Sequence, residues 1–347
     1  MGLSLRKKQI LEILLEFPGI STSQILKRVP SPTSIPTLNR DLKALVGEHF
    51  LIKSGNGRAT IYQVVPGYHL IHRPIGDSYF EKDIEERKGN QRFNQDLFSL
   101  LETIDIFTPE EYALLEELQK GFKDRLLTLP GEIRRKEQTR LTVELSWKSS
   151  QIEGNTYSLL ETEVLLEDHV AAEGKEKSEA TMLINHKRAM DYIYEHRIPF
   201  TPLKVEAIEN IHSLLINELG VAKNIRKRIV GITGTSYTPP DNEFQIREYL
   251  DRACTMINRK KPILEKALLA ILSISYIQPF EDGNKRTGRI AGNGILIENG
   301  YCPLSYRSVK PIDYKKAMVL FYEQNSLVLF KKLFMDQYEF AVKNYFR

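Results

Sequence analysis

Apolar residues recur three and four apart through most of this chain, and the breaks in that rhythm mark out its elements. Leu5, Ile10, Ile13, Leu14 and Phe17 keep a helical spacing that Pro18-Gly19 stops. Ser21 or Ser23 can cap a short second helix running to Val29. In a third, Ile35, Leu38, Leu42 and Leu45 form the apolar face, leaving Ser34, Thr37, Asn39, Arg40 and Lys43 on the other side. FLIKSGNGRATIYQVV then alternates, turns at Gly55-Asn56-Gly57 and alternates again, as a hairpin does. Residues 66–92 lose all periodicity and read as a linker of loose orientation. Helical spacing returns at Thr108-Pro109-Glu110-Glu111, which combines an N-cap, a first-turn proline and a capping-box acid. From there to the end the chain reads as helices, except for a strand-like stretch at 229–237, IVGITGTSY, expected to form one hairpin. The most apolar helix, PILEKALLAILSISYI, is expected to be a buried central one.

Composition narrows the class. With 41% hydrophobic and 27% charged residues the chain is ordinary for a globular protein, and 347 residues exceed a single core. No window approaches the roughly 18 uncharged apolar residues of a membrane helix, and the start lacks an export signal. Cys254 and Cys302 are too few for a disulfide framework, so a reducing cytoplasm is expected. Charge is uneven: residues 1–66 hold nine Lys/Arg against four acids, giving +5 of the total +4 and leaving −1 for the rest. Three short helices followed by a basic hairpin resemble a winged helix-turn-helix domain. That resemblance implies DNA contact through Ser34, Thr37, Asn39, Arg40, Lys43 and Arg58, with docking to a protein as the alternative use of such a module.

One loop carries candidate chemistry. IQPFEDGNKRTGRI, residues 277–290, interrupts two helical runs with a Gly283-Asn284 turn and opens a helix whose first-turn N–H groups make an anion site. Arg286 and Arg289, three apart, share a face and can reach one polyphosphate, and Asp282 can hold a magnesium ion bridging phosphates. Phe280 is expected to anchor the loop in the core. Phe280, Asp282, Gly283, Asn284, Lys285, Arg286 and Arg289 match position by position the motif HxFx(D/E)GN(G/K)RxxR of the Fic family, which this loop resembles. SLLINELGVAKNIRKRIVGITGTSYTPP, residues 213–240, is similar to the family's stretch leading through Gly220 and Arg226 to a flap, and the resemblance covers about residues 100–340.

The resemblance implies a mostly α architecture: an N-terminal winged helix over 1–66, a linker over 67–100, and an all-helical bundle with a hairpin flap over 101–347. It implies transfer of AMP from ATP, with Mg2+, to a Ser, Thr or Tyr hydroxyl of a protein, and the flap would take the target as an added strand. Asp282 would hold the metal; Gly283, Asn284, Lys285, Arg286 and Arg289 would hold the nucleotide. Upstream, SSQIEGN matches an inhibitory pattern (S/T)xxxE(G/N) as Ser149, Glu153 and Gly154, with Glu153 expected on Arg289. The family's catalytic positions fall on Gln278, Asp282 and Arg286, and here the chain departs: Gln278 stands where the family has a histidine base. An amide cannot accept the proton, although it can still orient a hydroxyl, so transfer is expected to fall roughly 10²- to 10⁴-fold with nucleotide binding retained. His186 and His212 are the histidines considered as replacements. The alternatives are a DNA-binding regulator that senses nucleotide, or a variant that removes AMP or moves phosphate. No membrane partner is expected, and pairing of two copies is compatible with the sequence.

Overall fold

The computed structural model describes residues 3–72, 76–87, 89–195 and 199–347, without the side chains of Arg58 and Asp77. His196 lies outside the described residues. The chain divides into two compact units, 1–72 and 73–347.

The first unit runs α1 (Leu5–Glu16), β1 (Ile20–Ser21), α2 (Thr22–Leu26), α3 (Ile35–Gly47), β2 (Leu51–Ser54), β3 (Ile61–Val64) and α4 (Tyr68–Ile71). Its strands make one antiparallel sheet in the order β1-β3-β2, with Leu51 opposite Val64 and Ser54 opposite Ile61. Ile10, Leu14, Ile25, Leu38, Leu42 and Leu45 close over its core. Leu5 and Ile35, expected in the apolar faces, are exposed because each falls in the first turn of its helix, beyond the reach of the core. Ser21 caps α2 with Gln24 reciprocating, but α2 stops at Leu26, short of Val29. At the hairpin turn only glycine fits position 55: φ is +77°, and a Cβ would lie 2.3 Å from the carbonyl oxygen of Ala59.

The second unit is helical: α5 (Leu97–Thr103), α6 (Pro109–Thr128), α7 (Gly131–Ile152), α8 (Leu159–Glu167), α9 (Lys177–Tyr194), α10 (Val205–Leu215), α11 (Glu243–Arg259), α12 (Ile263–Ile277), α13 (Asn284–Glu298), α14 (Pro311–Gln324) and α15 (Val328–Asn344). The capping box of α6 forms as expected, Glu111 N donating to Thr108 Oγ1 at 3.2 Å and Thr108 N to Glu111 Oε2 at 2.8 Å. α12 is buried from Leu264 to Ile277 apart from Lys266, and it pairs with α13, itself buried over most of its length. α10, α11 and α14 pack around this pair and fix the loop between them.

Two expectations change. Residues 229–237 form no ladder: a turn at Thr233-Gly234 is present, but the flanks are irregular, and the neighbouring bridge runs parallel from Thr238 to Arg92. A two-stranded hairpin without a sheet to join is marginal, and two glycines within nine residues weaken it further. The stretch read as a linker is also built into the second unit from its residue 79 onward. Tyr79 Oη donates to Glu323 Oε2 at 2.5 Å, Asn90 N to the Glu323 carbonyl at 2.5 Å, and the Phe93 ring packs 4.9 Å from Tyr276. Its polar and charged residues were spent on specific partners, which periodicity does not register.

Candidate functional site

The site is built on the turn between α12 and α13. Gln278 ends α12 in the left-handed region (φ +51°, ψ +58°), and Gly283, at φ +80°, opens α13. A Cβ on Gly283 would lie 3.3 Å from Ile216 Cγ2, so a side chain there would be both strained and crowded. Phe280 is fully buried and stacks on the His212 ring with centroids 3.6 Å apart, which anchors the loop as the sequence predicts. Arg226 clamps the turn from outside: its N–H donates to the Pro279 carbonyl at 3.0 Å and its Nε to that of Gln278 at 2.6 Å.

Asn284 spans this loop rather than facing outward. Its Oδ1 accepts from Phe280 N, and its Nδ2 donates to Gln278 Oε1 and the Phe280 carbonyl, all at 2.9 Å. A side chain so placed shapes the loop while it lines the cavity; its main-chain N–H, in the first turn of α13, lacks an intrahelical acceptor. Gln278 is tied in the same way, its Nε2 donating to the Ser275 carbonyl at 2.6 Å. The carboxamide braces the turn, and neither of its ends accepts a proton at neutral pH.

The two arginines part company. Arg286 lines a cavity of about 750 Å³ together with Gly283, Asn284, Lys285, Asp282 and Gln278. Its Nη2 donates to Asp282 Oδ2 at 2.7 Å, while its buried Nη1 has no partner. Arg289, expected to share that face, is fully buried and held by the C-terminal turn of α7: Nε donates to Ser149 Oγ at 2.8 Å, and Nη2 to the Ser149 carbonyl and to Glu153 Oε1, both at 2.9 Å. The guanidinium also lies 5.0 Å from the Tyr314 ring centre. Glu153 divides its carboxylate, for its Oε2 pairs with Lys285 Nζ at 2.8 Å. Burial pushes this carboxyl up, but the opposing charges and hydrogen bonds of Arg289 and Lys285 outweigh it and hold Glu153 at about 2. Gly154 follows at φ +106°, a value that lets the chain turn away once Glu153 has been delivered.

Both candidate histidines are already engaged by other groups. His186 is buried behind Ser149: Nδ1 sits 3.0 Å from the Met182 carbonyl, which can only accept, so Nε2 is left to accept from Ser149 Oγ at 2.9 Å. Burial lowers it to about 3, keeping the ring neutral and supporting the serine that supports Arg289. His212 faces two carbonyls, those of Asp282 at 3.0 Å and Lys223 at 3.3 Å, and burial lowers it to about 4.

Among the described residues, no group of three or more His, Cys, Asp or Glu forms a metal cluster. Asp282 nevertheless suits a magnesium ion. Its carboxylate is 66% exposed on the cavity, and magnesium sites of the nucleotide type take one or two carboxylates plus the phosphates of the ligand.

In the first unit, Asn39, Arg40 and Lys43 are exposed on α3 as expected. Ser34 and Thr37 are spent locally, Ser34 Oγ capping α3 by accepting from Thr37 N at 3.4 Å and meeting Thr37 Oγ1 at 2.9 Å. Of the basic residues, Arg6 pairs with the buried Asp41 and Lys7 with Glu48 at 2.6 Å. The side chain of Arg58 lies outside the described residues.

Comparison with known proteins agrees with this geometry. Residues 202–296 match the model of the Fic/DOC family. "Protein adenylyltransferase Fic" of Nematostella vectensis is 29% identical over 175 residues, 48% of this chain and 40% of its own length. The protein of the same name from Drosophila willistoni is 27% identical over 163 residues, 46% of this chain and 32% of its own. The chain thus spans less than half the length of these curated relatives. Among solved structures, Fic-1 from C. elegans superposes with a TM-score of 0.57 at 21% identity, covering 68% of this chain and 71% of that one. A Fic family protein from Desulfovibrio desulfuricans G20 superposes with a TM-score of 0.57 at 19% identity, covering 68% and 74%. Sequence match and shared fold together identify a Fic/DOC domain in the second unit of this chain.

Proposed function

We propose that the second unit binds a nucleoside triphosphate with Mg2+, as a Fic-type adenylyltransferase scaffold held back at two points. The observation that carries this reading is the cavity floor, where the open amides of α13, the unpartnered Arg286 Nη1 and the exposed Asp282 carboxylate converge. Asp282 would hold the metal, which when bound neutralises phosphate charge. Relatives named protein adenylyltransferase support ATP as the nucleotide and a protein hydroxyl as the acceptor. The first restraint is Glu153, which occupies Arg289 and would keep it from the outer phosphates. The second is Gln278, which leaves the acceptor hydroxyl without a base.

The test uses ATP labelled on the α phosphate, with the natural protein, Gln278→His, Glu153→Gly and the double variant, reading label on protein. Strong labelling is expected only in the double variant, with weaker transfer by Gln278→His alone. Equal labelling by the Gln278 protein would show that the base lies elsewhere, and failure of all four to bind or transfer the nucleotide would refute the scaffold reading.

A second reading concerns the first unit, supported by the exposed Asn39, Arg40 and Lys43 on α3 and by the +5 charge of residues 1–66. We infer a winged helix-turn-helix that contacts DNA through this helix. The full chain should shift duplex DNA in a gel, with affinity falling steeply between about 50 and 200 mM salt, and Arg40→Ala with Lys43→Ala should weaken it. An absence of any shift at low salt would refute the inference.

A further inference from the structure

The cavity is lined by two kinds of residue. Besides the polar floor on α13, Ile312, Lys316 and Val319, which share one face of α14 at i, i+4 and i+7 spacing, line it together with Phe80. Phe80 comes from the stretch that follows the first unit in the chain, far outside the matched residues 202–296. Its neighbours fix it there. Tyr79 is bonded to Glu323 at 2.5 Å and accepts from Gln324 Nε2 at 3.2 Å. Arg87 spans from the buried Glu323, 3.6 Å away, to the carbonyl of Gly234 at 3.1 Å, tying this stretch to the turn at 233–234. Position 89 admits only glycine, since a Cβ would lie 2.6 Å from the Glu323 carbonyl oxygen. The Phe80 ring, half-buried, carries Lys316 Nζ 5.1 Å from its centre and meets the Tyr79 ring edge-on at 5.6 Å.

An anion-binding floor and a lining of aromatic and aliphatic side chains match the two ends of a nucleotide. We propose that Phe80 is a binding residue of this site, stacking against the nucleobase while the phosphates lie on α13. This rests on the nucleotide reading above. A flat ring is the side chain such a contact requires, because every base presents a π face, and a cation already lies near this one. Phe80 and Arg87 are then a wall of the pocket, and the stretch that carries them is held more firmly when nucleotide is bound.

Calorimetry on the full chain tests this, with Glu153→Gly as the parent so that Arg289 is open. The probes are Mg-ATP and Mg-tripolyphosphate, the latter having phosphates and no base. Phe80→Ala should weaken ATP roughly tenfold while leaving tripolyphosphate within about twofold, and Phe80→Trp should restore ATP affinity. ATP affinity unchanged in Phe80→Ala, or equal loss of both probes, or no rescue by tryptophan, overturns the proposal while the nucleotide reading stands. A parent that binds neither probe overturns both.

Discussion

Lys285 holds the free half of the Glu153 carboxylate at 2.8 Å, yet from its place in the loop motif it reads as a nucleotide ligand. The two roles predict opposite signs. If it steadies Glu153 on Arg289, Lys285→Met should tighten Mg-ATP binding about fivefold, the worth of a partly exposed ion pair, and have no such effect in Glu153→Gly. If it binds phosphate directly, the same substitution weakens ATP in both backgrounds, and titration calorimetry separates the cases. The residues around the anion site were legible because they lie within one short motif. Their partners were legible only in part: Ser149 and Glu153 are some 140 residues upstream, His186 supports Ser149 from a third helix, and Tyr314 covers Arg289 from a fourth. The pattern (S/T)xxxE(G/N) exposed the first pair, whereas no spacing rule could have found the last two or the internal bracing of Gln278 and Asn284.

At the scale of elements, the α12–α13 pair is what holds the loop in place, and its closeness depends on small residues. A Cβ on Gly288 would lie 2.8 Å from the carbonyl oxygen of Ile271, and one on Gly292 would lie 2.7 Å from Ile271 Cγ1. Gly294 is crowded likewise, a Cβ there lying 2.7 Å from the Phe200 ring. At Gly288 the obstacle is backbone, which cannot swing aside, so the gain of about 1 kcal/mol in helix propensity is outweighed by overpacking of about 1–3 kcal/mol. Gly288→Ala should lower Tm by a few degrees, while Gly131→Ala, with nothing within 4 Å, should not. An unchanged Tm for Gly288→Ala would mean that the two helices can separate at little cost. The capping box of α6 and the apolar run of α12 were legible in the sequence. Residues 229–237 were not, because alternation describes a strand's faces without supplying the neighbour that makes it a strand.

At the scale of the whole molecule, two buried imidazoles set the acid limit. His186, lowered to about 3, and His212, lowered to about 4, stay neutral in the fold, whereas an unfolded histidine takes a proton near 6.5. The unfolded chain therefore binds more protons as pH falls below about 6.5, and stability must decline from there toward about 4. Glu153 works in a lower window: held at about 2 against an ordinary 4.5, it stabilises the fold fully above about pH 4.5 and loses that contribution only as pH falls toward 2. Tm measured from about pH 7 down to 4.5 should fall, and His186→Asn with His212→Asn should flatten the slope; a flat profile in the natural protein would mean that these rings protonate without unfolding. Across the same range Glu153 stays ionised and on Arg289, so pH is not what releases it. Under the nucleotide reading, release belongs to mass action: apparent affinity is the intrinsic value multiplied by the fraction of molecules with Arg289 open, and a closure of about 99 in 100 raises the half-saturating concentration about a hundredfold. Two ion pairs on one carboxylate thus define a threshold, the level of nucleotide below which the protein behaves as though none were present.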